Sequence, residues 1–127
     1  MFKHVLDASV VLAFLRDETG GELAFSLLSE GVISTVNLTE VLNKSMGVSL
    51  PKKDLVKSLL RTGLSIISFD HEQAHIASDL NQSTRSLGLS LGDTACLALG
   101  IQRTLPVYSA DRIWQKLNLP IEVRLIR

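Results

Sequence analysis

The chain has 127 residues, 46% of them hydrophobic and 20% charged, which fits one domain over residues 1–127 and excludes a disordered chain. Its 13 Lys and Arg balance 13 Asp and Glu, so net charge excludes a global attraction to nucleic acid, and an RNA or DNA partner must meet a local patch.

The first stretch, Phe2–Leu15, reads FKHVLDASVVLAFL. Its short apolar run around Val5 and Leu6 suits a strand covered on both faces, ending at Asp7. The run Val10–Leu15 is long enough for about two helical turns. A polar turn, Arg16–Gly21, leads to a helix over Glu22–Ser29 with Leu23, Leu27 and Leu28 on one side, stopped by Gly31. Val32–Thr35 is the second strand, β-branched and short. The next helix runs from Val36 to Val48, near Gly47. Pro51 then starts another with Leu55, Val56, Leu59 and Leu60 as its buried stripe, closed by Gly63. Leu64–Phe69 is the third strand. Asp70 caps a helix from His71 to about Leu87, and Gly88 ends it. Ser90-Leu91-Gly92-Asp93 opens a helix through Ile101. Pro106–Tyr108 is the fourth strand, Asp111–Leu117 the last helix and Ile121–Ile126 the fifth strand. Strands alternating with helices call for an α/β fold, a parallel sheet with helices on both faces.

Cys96 is the only cysteine, so no internal disulfide forms, which fits a reducing compartment. Asp7 interrupts the N-terminal apolar run and no small-residue cleavage site follows, so no secretory signal is expected. With no run of transmembrane length, the expectation is a cytoplasmic protein without a membrane partner.

Acids stand where chemistry is placed in an open α/β sheet. Asp7 closes the first strand and Asp111 follows the fourth, in YSAD. The bland reading makes each a helix cap. Asp93 begins a helix whose Leu91, Ala95, Cys96, Leu97, Ala98, Leu99 and Ile101 cover nearly its whole circumference, so a carboxylate there needs a donor or a cation. Its bland reading is a capping box with Ser90. Glu40 is the weakest case, because Leu38, Val41, Leu42 and Met46 turn the other way and periodicity alone leaves it solvated. If these acids converge, they repel one another unless a cation binds, and an all-oxygen set suits Mg²⁺ or Mn²⁺.

LDASV around Asp7, STVNLTEV around Glu40, LSLGDTACLALG around Asp93 and LPVYSADRIW around Asp111 occur in an order that resembles the PIN-domain ribonucleases of the VapC type, the toxins of toxin–antitoxin pairs. The resemblance covers essentially the whole chain. It implies a three-layer PIN-like fold with about five parallel strands and an acidic pocket for Mg²⁺ or Mn²⁺. It implies an endoribonuclease that cleaves RNA phosphodiester bonds by in-line attack of water, leaving a 5′-phosphate and a 3′-hydroxyl. Asp7, Glu40, Asp93 and Asp111 would be the catalytic and metal-binding acids, with Ser9 and Ser109 at the hydroxyl positions beside the first and last. A cognate antitoxin and a homodimer are implied as well, with the exposed apolar share of Leu12–Leu60 as the surface for both.

Two rivals come from other classes. His71-Glu72-Gln73-Ala74-His75 matches the zinc-hydrolase pattern H-E-x-x-H, though its third ligand would have to be Asp79, Asp93, Asp111 or Glu122. A non-catalytic PIN-like binding module is the other, and the full set of acids argues against it. Lys52, Lys53, Lys57 and Arg61 form a basic face that reads as solvated. Arg85, Arg103, Arg112 and Lys116 share the half that carries Asp93 and Asp111 and are candidates for RNA phosphates. His4, Cys96 and Trp114 read as packing residues.

Overall fold

Val5 and Leu6 are neighbours in sequence but serve different cores. The computed structural model describes every residue from Met1 to Arg127. Its first strand, β1 (His4–Leu6), is buried throughout. Successive strand side chains point to opposite faces. Leu6 therefore joins Ile33, Val10, Val11, Leu28, Val41 and Leu59 on one face, while Val5 joins Val32, Val107, Cys96, Leu97 and Leu99 on the other. Each such side chain, fully buried, contributes about 1.5–3 kcal/mol, so the fold does not depend on the polar residues at the sheet's end.

The remaining strands are β2 (Gly31–Ser34), β3 (Ser65–Ile67), β4 (Val107–Ser109) and β5 (Val123–Leu125). They form a five-stranded sheet in the order β3-β2-β1-β4-β5, with every pairing parallel. Four helices, α1 (Ala8–Leu15), α2 (Gly21–Leu27), α3 (Thr35–Asn43) and α4 (Lys52–Arg61), supply the core around Leu6. α5 (His71–Ser83) and α6 (Leu91–Arg103) supply the core around Val5. The result is the three-layer α/β arrangement expected from the alternation of elements.

The chain steps outward from β1 to β2 and β3, then α5 and α6 carry it back across the sheet to β4, on the other side of β1. β1 is thus the switch point, where connections leave in opposite directions, and open α/β sheets place their binding sites beyond the carboxyl ends of such strands. Asp7 is the first residue beyond that end, and its N–H still donates to the Tyr108 carbonyl at 3.0 Å.

Several elements differ from the expectations: β3 covers only Ser65–Ile67 of Leu64–Phe69, and Leu60, expected in the buried stripe of α4, is 48% exposed. α3 stops at Asn43 instead of Val48: Met46, the apolar residue that would have extended its stripe, is 91% exposed, and Gly47 takes a φ of 93° in a turn. α5 stops at Ser83, and a 3-10 turn over Arg85–Leu87 fills the rest before Gly88. The last helix is a 3-10 turn, Arg112–Lys116, in which only Trp114 is buried. β5 is shorter than Ile121–Ile126, as suits an edge strand starting after Pro120. No helix is long and apolar enough to cross a membrane.

Candidate active site

Asp7 lies at the centre. It is 6% exposed, and no Lys, Arg or His pairs with it. Both of its side-chain donors serve one oxygen: Ser9 Oγ at 2.6 Å and Ser109 Oγ at 3.1 Å donate to Oδ2. The hydroxyl oxygens in turn accept backbone N–H groups, Ser9 from Ala110 at 2.9 Å and Ser109 from Asp111 at 3.0 Å. These two serines therefore tie α1 to the loop after β4 and hold the carboxylate in place. Burial pushes the Asp7 carboxyl up to about 6; Asp93 and Glu40 push the same way, while the serine hydrogen bonds oppose them.

Glu40 reaches this group from α3 because α3 packs its Asn37 against α6. Asn37 is fully buried, and its amide nitrogen donates to Glu40 Oε1 at 2.8 Å and to the Gly92 carbonyl at 3.0 Å. Gly92 leaves the room: a Cβ there would sit 2.5 Å from Glu40 Cδ and 2.6 Å from Oε2. Periodicity misplaced Glu40 as solvated, whereas it is half-buried at a helix–helix junction. Asn37 and Gly92 were missed altogether. The available signal was a polar Asn three residues before the Glu, on the same helix face. Replacing Asn37 with Ala should lower the unfolding free energy by about 1–2 kcal/mol, read by urea denaturation, since the buried Gly92 carbonyl and the half-buried Glu40 carboxylate lose their donor. The loss stays at the low end because the unpartnered Asn37 Oδ1 goes too.

Asp93 caps its helix and also acts on Asp7. It forms the complete capping box: Ser90 N–H donates to Asp93 Oδ2 at 2.9 Å, and Asp93 N–H donates to Ser90 Oγ at 3.2 Å. Its charge also raises the Asp7 carboxyl and acts, with Asp7 and Glu40, on the buried Cys96 thiol, which burial holds well above its ordinary value. Three of the four predicted acids are thereby brought around one end of α6 and β1. The fourth, Asp111, is engaged at its own turn. Its side chain is exposed and caps the 3-10 turn, accepting the Ile113 N–H at 3.0 Å. Its main chain is joined to the group through Ser109.

The donors present are carboxylate and hydroxyl oxygens, and a buried carboxylate without a cationic partner, crowded by two others, fits a hard divalent ion. As the side chains stand, no three His, Cys, Asp or Glu close on one point, because Asp93 and Asp111 are turned to their own helix starts. The same fact leaves His71 and His75 without the third ligand that a zinc hydrolase needs. Glu122, one candidate for it, is paired with Arg124 at 2.7 Å. His4 is buried, with its Nε2 2.6 Å from the Leu27 carbonyl, and Cys96 and Trp114 lie in the core.

A family model described as PIN domain matches residues 4–119. No curated protein matches the chain by sequence. Among solved structures, the chain is similar to one of DNA-bound VapBC from Salmonella typhimurium, at 18% identity over 100% of both chains and a TM-score of 0.75. It is similar to a toxin–antitoxin complex from Klebsiella pneumoniae, at 17% identity, 94% of this chain, 99% of that one and a TM-score of 0.74. The VapC20 toxin of Mycobacterium tuberculosis, described as cleaving the sarcin–ricin loop, aligns at 12% identity, 94% of this chain, 99% of that one and a TM-score of 0.71. Identities this low establish a shared fold.

Proposed function

The chain belongs to the PIN-domain family, and from that premise we propose that it is a Mg²⁺- or Mn²⁺-dependent endoribonuclease, the toxin of a toxin–antitoxin pair. The observation that carries the reading is the buried Asp7 carboxylate at the carboxyl end of the central strand, with Glu40 and Asp93 acting on it and no cation paired to it. Asp7, Glu40 and Asp93 would hold the ion, and Asp111 would complete the pocket or hold the attacking water. A bound ion supplies charge neutralisation at the phosphodiester and a more acidic water. Ser9 and Ser109 fix the Asp7 carboxylate so that Oδ1 is turned to no protein donor. Asn37 does the same for Glu40, leaving Oε2 free of side-chain donors. Arg85, Arg103, Arg112 and Lys116 are all exposed and would meet RNA phosphates.

The partners would be RNA, a cognate antitoxin and a second copy of the chain. Leu23, Phe25, Met46, Leu50 and Leu60, all within Leu12–Leu60, are exposed and supply the apolar surface such contacts need. Several of the similar structures are toxin–antitoxin complexes, which supports an antitoxin here.

Purified protein should cut RNA with Mg²⁺ or Mn²⁺, stop on adding EDTA, and resume when the ion is restored in excess. Cleavage that persists in EDTA would defeat the reading. Tightly held stoichiometric zinc, lost together with activity in His75→Ala, would transfer it to the H-E-x-x-H hydrolase.

A further inference from the structure

His71 and His75 take no part in the acidic site. They stand one turn apart at the start of α5, both exposed, with their Nε2 atoms 3.0 Å apart and ring centroids 4.8 Å apart. We propose that this pair is a surface chelate for a divalent transition ion that prefers imidazole, Ni²⁺ or Cu²⁺, separate from the acids around Asp7.

The spacing lets both nitrogens reach one ion. With metal–nitrogen bonds of about 2.1 Å, adjacent corners of a square or octahedron lie about 3.0 Å apart, against about 3.4 Å for a tetrahedron. The observed separation lies close to both, and the preference for Cu²⁺ or Ni²⁺ rests on the affinity of divalent ions for imidazole nitrogen. In the metal-free pair one Nε2–H can donate to the other Nε2. Chelation needs a lone pair on both, so that proton moves through solvent to Nδ1 of its own ring. The remaining corners fall to water, since no third His, Cys, Asp or Glu joins the pair. That separates a chelate from a hydrolytic centre.

The surroundings neither block the site nor compete for it. The start of a helix disfavours a cation, but Asp70 caps α5 and Glu72 lies in its first turn, and both offset this. Asp70 is itself engaged, accepting the Gln73 N–H at 2.8 Å and the Gln102 amide at 3.0 Å, so it stays out of the coordination sphere. His4, the other histidine of the 3, is buried and bonded to a carbonyl.

Ni²⁺ titration by calorimetry, with millimolar Mg²⁺ present to occupy the acids, tests the proposal. The parent should show a Ni²⁺ site that His71→Ala and His75→Ala each weaken at least tenfold and Glu22→Gln, on α2 across the sheet, leaves unchanged. Cu²⁺ bound to the parent should give an electron-spin signature of two imidazole nitrogens, and of at most one in either variant. Both histidines are exposed, so circular dichroism without metal should match the parent; His71→Gln and His75→Gln replace any Ala variant that does not fold. Weakening of less than tenfold in either position, or a single nitrogen in the parent's Cu²⁺ spectrum, overturns the chelate. RNA cleavage in EDTA plays no part in this test, so it stands or falls apart from the ribonuclease reading.

Discussion

Asp93→Asn should lose RNA cleavage by roughly 10³-fold or more, which corresponds to about 4 kcal/mol of barrier. The substitution preserves size and leaves an amide oxygen where Oδ2 accepts the Ser90 N–H, so the capping box is largely kept. What it removes is one negative charge from the three that act together near Asp7 and Cys96. If Asp93 were a helix cap alone, cutting would survive and stability would fall by about 1 kcal/mol at most. Under the proposed function the pattern is the opposite: activity collapses while the metal-free melting temperature holds. Cleavage measured with excess Mg²⁺, beside melting in EDTA, reads the two quantities separately. A variant that cuts RNA at the parent rate would falsify the assignment of Asp93, whatever its melting temperature.

The parts of this molecule that the sequence displayed are those where a local rule and the tertiary structure agree. Val5-Leu6 and Val32-Ile33 are short apolar runs, and a strand with two covered faces is what such runs mean. Asp7 is legible because the run stops there. Glu40 was not, because its burial comes from another helix: Gly92 lacks a side chain, and Asn37 spans the gap to α6. No periodicity within α3 contains that information. Length failed where packing ran out, as at Met46, or where a single buried anchor was enough, as at Trp114. Asp93 shows that cap and charge are not alternatives, since one carboxylate can close a helix start and still raise its neighbour's proton affinity. Asp111 keeps the bland role in this structure, and only its main chain is linked to Asp7.

Asp7 should make the metal-free protein less stable as the pH rises. In the folded chain its carboxyl is held up at about 6, above the ordinary 3.8. Below the ordinary value both folded and unfolded chains carry the proton and there is no penalty. Between the two values the unfolded chain ionises first, so stability falls through this window, and above about 6 the loss is complete. The size follows from the gap, about 3 kcal/mol as an upper figure. Asp70 and Glu122 act with the opposite sign: backbone and Gln102 donors hold the first below its usual range, and Arg124 holds the second. The informative quantity is therefore the difference between the parent and Asp7→Asn, in which the contributions of Asp70 and Glu122 cancel. In EDTA, urea unfolding should find the variant more stable than the parent by about 1–3 kcal/mol at pH 7.5, and the advantage should vanish near pH 4. Adding Mg²⁺ at pH 7.5 should reverse the ranking, because only the parent retains the central carboxylate and gains stability by binding. An Asn variant that is less stable than the parent at both pH values would show that Asp7 is held as a satisfied structural group, and the crowded acidic site would lose its central member.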